Sequence, residues 1–485
     1  MFDNLGEGED NWSDRQSVGS GKDARHFQLE KHLVTDSRNK KVGSFLTIHD
    51  LTEDVLKHQK EIYKATHDKL TGLFTKEYLF DRIHDSLTAN RDKQYWVAYI
   101  DIKDFKLIND IYGKEMGDEV LREIANWMRM HSDPSWVYGR LAGDTFGICY
   151  ASERPRVAMI EQHISEFTFK SGTFKQNLLM HVGIYKVSDP DLDISIMFDR
   201  AHLALTSIKN EYNSHVAIYD DKMREQMLWE QKISSQLEKA IEEKQICAYL
   251  QPIVNISGKI IGGEALVRWL HPKEGFLSPI KFIPVFEKNG MIVDVDKHIW
   301  RCACETLASW KTQPDKKDMF ISVNISPKDF YFIDVFSEIQ GLIKEYDIEP
   351  RRFRIEITET VVMNEVENCM AILNKFRKAG FIVEMDDFGS GYSSLNQLKD
   401  MPLDVLKIDM KFLGGSNDNS RATTILKNVI RLSDELGLSS LTEGVETESQ
   451  YRMLSDMGCH LFQGYYFAKP MPIKDFEELC VKQQA

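Results

Sequence analysis

The sequence predicts an α/β protein in two folded parts: an α/β domain with a mainly antiparallel sheet, then a (β/α)8 barrel. Three observations lead there. At 485 residues the chain is too long for one ordinary core. Residues 68 to about 222 alternate strand-like and helix-like patterns. From about 230 onward, eight strand-like runs recur, most separated by helical patterns, over roughly 250 residues, the signature of a closed barrel.

Along the chain, the first two dozen residues are rich in Gly, Ser, Asp and Asn, which predicts poor order over part of 1–52. Two strand-like runs follow, HFQLEKHLVT and VGSFLTIHD, joined by the polar turn DSRNKK. Residues 53–67 read as a connecting helix with a narrow apolar stripe of Leu56, Ile62 and Tyr63. The domain at 68–222 reads as strand YWVAYID, helix GDEVLREIANWMRM, hairpin WVYGRLAGDTFGICY, strand LLMHVGIYKV and helix MFDRAHLALTSIKN. The charged stretch at 223–245 has no Pro or Gly and reads as a linker helix. From 246 to 485 the barrel strands are ICAYLQPIV, IIGGEALVRW, MFISVNIS, RFRIEITE, FIVEMDD, VLKID, LSSLTEGV and HLFQGYYFA.

Composition narrows the function. Lys plus Arg is 61 and Asp plus Glu 75, a net charge of 61 − 75 = −14. That excludes a broad DNA- or RNA-binding face, which needs clustered positive charge. Small nucleotides held through metal ions remain allowed, because such sites consume carboxylates. The seven cysteines are scattered, Cys302 and Cys304 have no second pair at zinc-ligand spacing, and ordinary buried thiols in a reducing, cytoplasmic setting follow. No apolar run approaches the ~18 residues that span a membrane. The N-terminal MFDNLGEGEDNW lacks the basic and apolar regions of a signal peptide.

The barrel strands end, or nearly end, in polar residues: Gln251, Glu264, Asn324, Glu356 with Glu359, Asp386 with Asp387, Lys407 with Asp409, Glu443 with Glu446, and Gln463. A barrel of this kind gathers its strand C-termini at one mouth, where its active sites sit. Any one of these acids reads as a solvated strand end or a helix cap; eight successive strand ends of the same character do not. Crowded carboxylates repel unless cations neutralise them. Oxygen ligands suit Mg²⁺ or Mn²⁺, and two such ions can activate a water and hold a phosphodiester.

Glu264-Ala265-Leu266, followed by Arg268, resembles the signature of EAL-domain cyclic di-GMP phosphodiesterases. The resemblance extends through Val323-Asn324-Ile325-Ser326, Glu356-Ile357-Thr358-Glu359, Asp386-Asp387-Phe388-Gly389, Lys407-Ile408-Asp409, Glu443-Gly444-Val445-Glu446 and Gln463-Gly464. It implies a TIM-like barrel with a two-metal site. Glu264, Asn324, Glu356 and Asp386 would ligate one ion, Asp386 being shared with a second ion that Asp387 and Glu443 help hold. Glu264 and Glu443 thus count among the catalytic residues. Lys407 would contact the attacking water and the phosphate, and Asp409 would orient that water or take its proton. Gln251, Leu266, Arg268, Glu446 and Gln463 would contact the substrate. Glu359 would pin the loop DDFGSGYSSL, which in the family links metal binding to dimerisation, so a homodimer is implied.

Residues 68–222 resemble GGDEF diguanylate cyclase domains, with a cyclase or palm-like fold. Asp68-Lys69-Leu70-Thr71-Gly72-Leu73 matches the family's opening and DIKDFKLINDIYGKEMGD its nucleotide-binding stretch. Asp101 and Asp144 would be metal ligands, the Ile102 carbonyl a third contact, and Asn109 and Asp118 guanine partners; read without the family, Asn109 is a loop residue and Asp118 a helix cap. The signature itself departs from the pattern. It reads Ala142-Gly143-Asp144-Thr145-Phe146, so a hydroxyl replaces the acid beside the reacting 3′-hydroxyl and a Cβ enters where backbone meets phosphate. Of two downstream cations, Lys209 survives and the second is Asn213; the product-inhibition site reads Asp133-Pro134-Ser135-Trp136. This predicts a degenerate domain that does not make cyclic di-GMP, and it leaves open whether the vestigial site still binds GTP. Asp50-Leu51-Thr52-Glu53, closing the N-terminal hairpin, resembles the end of a PAS sensor domain, whose front half would then lie outside this sequence; read without the resemblance, it closes an irregular N-terminal hairpin.

The resulting expectation is metal-dependent opening of cyclic di-GMP to linear pGpG, under a catalytically inactive regulatory domain. The alternatives are a receptor that binds cyclic di-GMP without cleaving it and a bifunctional cyclase/phosphodiesterase. An upstream membrane-bound sensor could tether the native chain.

Overall fold

The computed structural model describes residues 11–20, 24–171, 174–209, 214–358, 366–386, 388, 398, 401–410 and 419–484. The chain forms two compact units, residues 1–227 and 228–485.

The first unit opens with an antiparallel sheet of β1 (Trp12–Val18), β2 (Arg25–Thr35) and β3 (Lys41–Asp50). Two of these strands were expected. β1 corrects the expectation of poor order across the first two dozen residues: it pairs with β2 from Trp12↔Lys31 to Val18↔Arg25. Its polar side chains hide it, because backbone pairing rather than burial makes this strand. α1 (Thr52–Thr66) buries no residue, and its stripe of Leu56, Ile62 and Tyr63 is exposed.

After α2 (Lys76–Ala89), the apolar β4 (Tyr95–Ile102) is covered on both faces. It sits centrally in the sheet β10-β9-β4-β6-β5. β5 (Val137–Ala142) and β6 (Thr145–Ala151) form the hairpin, β9 spans Met180–Lys186, and the short β10 (Val216–Ile218) pairs parallel with β9. α3 (Phe105–Tyr112) and α4 (Lys114–His131) follow β4. Because α4 begins at Lys114, Asp118 lies inside the helix, which corrects its reading as a cap. α5 (Val157–Glu166) and the hairpin of β7 (Thr168–Ser171) and β8 (Phe174–Asn177) precede β9. α6 (Ile194–Ile208) packs so closely on β9 that a Cβ at Gly183 would lie 1.8 Å from the Ala201 carbonyl oxygen.

α7 (Asp221–Ser234) and α8 (Leu237–Glu242) cover the stretch read as a linker helix. The barrel is a closed ring of eight strands: β11 (Ile246–Asn255), β12 (Ile260–His271), β14 (Phe320–Ile325), β15 (Phe353–Thr358), β16 (Val383–Asp386), β17 (Val405–Asp409), β18 (Ser439–Glu443) and β19 (Leu461–Gln463), which pairs back to β11. One feature departs from a regular (β/α)8 ring. β11 is antiparallel to both neighbours, so Gln251 reaches the mouth from mid-strand and not from a strand end. β13 (Gly275–Leu277) extends β12 as a hairpin, and α9 (Pro279–Asn289) and α10 (Ile292–Trp310) complete the first crossover. α11 (Asp329–Phe332) and α12 (Val335–Glu345) follow β14, and α13 (Val366–Lys378) follows β15. α14 (Asn419–Glu435), α15 (Glu448–Asp456), β20 (Met471–Pro472) and α16 (Ile473–Gln484) complete the order. Inside the ring, Ile253, Phe320, Val405, Leu441 and Leu461 form an apolar floor.

Candidate functional site

Alternation along the barrel strands turns every second side chain inward, and at the mouth those side chains are acids. Glu264 and Gln251 are register partners, as are Asn324 and Glu356, Thr358 and Asp386, and Asp409 and Glu443. Carboxylate oxygens of Glu264, Glu356 and Glu443, one from each, lie within 4.8 Å of one another. Among them stands Lys407, fully buried. Its Nζ contacts Glu356 Oε1 and Glu443 Oε1 and lies 3.5 Å from both Glu264 Oε2 and Asp386 Oδ1. Asn324 donates to Glu264 Oε1 at 3.2 Å, and Gln463 Nε2 donates to Glu264 Oε2 at 2.6 Å and to Gln251 Oε1 at 3.1 Å.

Burial and the Glu264 charge hold Glu356 well above the ordinary carboxylate range. Burial, eased by Lys407 and reinforced by Asp386, pushes Glu443 up to about 8. For Lys407, burial works against the charge, but four surrounding carboxylates, Glu264 foremost, raise it well above the lysine range. Counted fully ionised, the four carboxylates around the one ammonium carry −4 + 1 = −3 among the described residues, and the raised Glu356 and Glu443 show protons offsetting part of that charge where no further cation does. Glu356 Oε2 is buried with no hydrogen-bond partner among them. A hard, all-oxygen donor set with a negative surplus and an orphaned carboxylate oxygen fits divalent cations such as Mg²⁺ or Mn²⁺.

A cleft of about 490 Å³ opens over this cluster, lined by Gln251, Glu264, Leu266, Asp409, Glu443 and Gln463, with Glu446 at its exposed rim. Gln450 steadies that rim: its Oε1 accepts the backbone N–H groups of Glu446 (2.8 Å) and Thr447 (2.9 Å). Arg268 is half-buried over the Tyr249 ring, 5.9 Å from its centroid, and burial lowers its pKa. Asp387, Glu359 and the loop 387–396, apart from Phe388, lie outside the described residues.

In the first unit, β4 and β6 place Asp101 opposite Thr145. Lys209 Nζ lies 3.3 Å from Asp101 Oδ2. Burial, then the Asp101 charge, raises the pKa of the half-buried Asp144, while Lys209 and Arg140 pull the other way. The Thr145 hydroxyl is turned onto the hairpin: it donates to the Ala142 carbonyl at 2.6 Å and accepts the Ala142 N–H at 3.2 Å. Gly143, at φ +54°, makes the turn, and its carbonyl accepts Arg140 Nε (2.9 Å) and Nη2 (2.6 Å). Ile102 is buried beside Asp101. Asn109 leans on Gly117, where a Cβ would lie 2.1 Å from its Oδ1, next to Asp118. Asn213 lies outside the described residues.

A family model for the EAL domain matches residues 234–470, and one described as "Diguanylate cyclase, GGDEF domain" matches residues 65–215. The chain is a tandem GGDEF–EAL protein. It is 31% identical to an uncharacterized protein of Synechocystis sp., over 91% of this chain and 64% of that one. It is 28% identical to the bifunctional diguanylate cyclase/cyclic di-GMP phosphodiesterase MucR of Pseudomonas aeruginosa, over 85% of this chain and 61% of that protein. It thus spans about three fifths of the length of these relatives. The solved structure of the EAL enzyme Bd1971 in its cAMP-bound form matches with a TM-score of 0.50 and 25% identity, covering 63% of this chain and 81% of that one.

Sequence reasoning missed two groups in the EAL domain. Ser322 donates to Glu384 Oε2 at 2.8 Å, and Arg354 Nη1 donates to Glu384 Oε1 at 2.8 Å, with the guanidinium 3.2 Å from the Phe320 ring centroid. A signal existed: Ser-Val-Asn, Arg-Ile-Glu and Glu-Met-Asp each set a polar residue two before a predicted ligand. Secondly, the carboxyl of Asp296 on α10 faces that of the fully buried Asp329 on α11, whose Oδ2 accepts the Ser326 N–H at 2.8 Å. Burial pushes Asp329 up to about 6 and, with the Asp329 charge, holds Asp296 well above the carboxylate range.

Proposed function

We propose that the EAL domain hydrolyses cyclic di-GMP to linear pGpG with Mg²⁺ or Mn²⁺, as a homodimer. In this reading the GGDEF domain binds GTP and regulates without catalysis, and domain limits follow those read from the sequence. The observation that carries it is the mouth cluster: four carboxylates around Lys407, a surplus of three negative charges, and an unsatisfied Glu356 oxygen. The name of the Pseudomonas relative, which includes cyclic di-GMP phosphodiesterase, points the same way.

Glu264, Asn324, Glu356, Asp386, Asp387 and Glu443 would hold the ions, which when bound supply a water of lowered pKa and charge neutralisation at the phosphate. Lys407, kept protonated by its four acids, would contact the attacking water and the phosphate. Asp409, across from Glu443 at the cleft, would orient that water or take its proton. Gln251, Leu266, Arg268, Glu446 and Gln463 seat the substrate, and Glu359 supports the adjoining loop.

In the GGDEF domain, Asp101, Ile102, Asn109, Asp118, Asp144 and Lys209 would hold GTP. Thr145 supports the loss of cyclase chemistry, because its hydroxyl is committed to the turn backbone. No helix among the described residues is long and apolar enough to cross a membrane, and the cysteines described are free thiols, which suits the cytoplasm.

One assay tests the whole reading. The protein is incubated with GTP or with cyclic di-GMP, plus Mg²⁺ or Mn²⁺, and the products are resolved. We expect pGpG from cyclic di-GMP and no dinucleotide from GTP. Cyclic di-GMP that binds but persists would instead mark a receptor, and cyclic di-GMP formed from GTP a bifunctional enzyme, the second reading that the relative's name suggests.

A further inference from the structure

We infer that Ser322, Arg354 and Glu384 form a polar brace inside the EAL barrel that positions the metal ligands one layer above it. The inference rests on the mouth cluster being a metal centre. Each brace residue lies two positions before a proposed ligand on the same strand: Ser322 before Asn324 on β14, Arg354 before Glu356 on β15, and Glu384 before Asp386 on β16. A two-residue step returns a strand's side chains to the same face, so brace and ligands point into the barrel one above the other. Glu384 is fully buried and joins all three strands, accepting Ser322 Oγ on one oxygen and Arg354 Nη1 on the other, each at 2.8 Å. The Arg354 guanidinium is fixed in turn against the Phe320 ring.

Stability alone does not account for this arrangement. A buried ion pair recovers its desolvation cost only with good geometry, and well-packed apolar residues in its place are often neutral or stabilising. Neighbouring barrel-interior positions Ile253, Val405 and Leu441 are apolar, so this layer could be too. The backbone ladder sets the register of the three strands; what apolar side chains cannot do is tie their inward faces to one another through directional bonds. Ligands to a divalent ion must be held within about half an ångström; partners bonded directly to a ligand change metal affinity 10- to 100-fold, and a brace that acts through the strands should reach the lower end of that range. Ser322, Arg354 and Glu384 are therefore positioning residues, acting through Asn324, Glu356 and Asp386.

The test is Mn²⁺ titration of the full chain, followed by electron paramagnetic resonance of the free ion, with melting temperature measured alongside. Glu384→Gln, which keeps the shape and loses the charge, should raise the Mn²⁺ dissociation constant about tenfold. Arg354→Met with Glu384→Leu should raise it similarly while melting within a few degrees of wild type. At saturating Mn²⁺, KM for cyclic di-GMP should stay unchanged in both. Wild-type Mn²⁺ affinity in Glu384→Gln overturns the brace, even where the double variant does not fold. Absence of Mn²⁺ and Mg²⁺ binding by the wild-type chain overturns the metal-centre reading, and the brace with it.

Discussion

The barrel mouth and the GGDEF hairpin use the same kinds of residue, carboxylates beside a lysine, yet they differ in how the charges add up. At the mouth, four acids surround Lys407. At the hairpin, Asp101 and Asp144 face Lys209, and the nearby Arg140 is tied to Asp68 at 3.0 Å. The surplus is three negative charges in one place and 2 − 1 = 1 in the other. A group of acids attracts divalent cations in proportion to the charge left over, so identity of residue type is a weaker guide than the local sum. Thr145 makes the difference concrete. An acid there would deepen the surplus, and the hydroxyl instead closes a turn.

The most drastic way to erase the contrast is to lower the surplus at the mouth. Glu264→Ala should cut cyclic di-GMP hydrolysis at least ~10³-fold, the scale of losing metal-borne stabilisation of a phosphoryl transition state. Wild-type-like turnover in that variant sinks the phosphodiesterase assignment. At the hairpin, calorimetry should register GTP binding that Lys209→Ala weakens about tenfold, the effect of one lost charge-assisted contact. No binding at millimolar GTP removes the regulatory role.

A third, smaller effect concerns acids outside the cleft. Asp329 has its folded-state pKa raised from 3.8 to about 6, so its contribution to stability is fully present below 3.8 and is lost as pH rises through about 6. Melting curves of the wild type should fall by a few degrees across that window, and Asp329→Asn should flatten them. An unchanged slope would remove Asp329 as the source. Smallest of all, Thr145→Val deletes the hydroxyl's two turn contacts. It should cost about 1 kcal/mol in the first unit and leave hydrolysis of cyclic di-GMP as in the wild type. A larger loss would mean that the hydroxyl has a further partner.

Most of the barrel was legible because polar residues on apolar strands have few explanations other than a site. Glu264, Asn324, Glu356, Asp386, Lys407 and Glu443 could be read for that reason, and the structure does bring them together. Strand direction leaves no mark on composition, so the reversal of β11 stayed hidden. β1 hid because its pairing is backbone to backbone. The brace of Ser322, Arg354 and Glu384 was written in the sequence as an alternation, but a charged residue in a barrel interior reads as surface until its partner on the next strand is known. The Asp296–Asp329 pair joins positions on two helices, and no local pattern connects them.

The reversed first strand also changes where the barrel can be handled. Ile246 pairs with Trp269, near the mouth end of β12, whereas Gln483 on the last helix bonds to Ile260 and Gly258 at that strand's far end. Entry to the barrel and the end of its final helix therefore lie at opposite poles. A reporter fused after the final helix would hang beneath the barrel. An insertion just ahead of Ile246 would sit level with the cleft, and a pull there would shear β11 along β12, the pairing that holds Gln251 against Glu264.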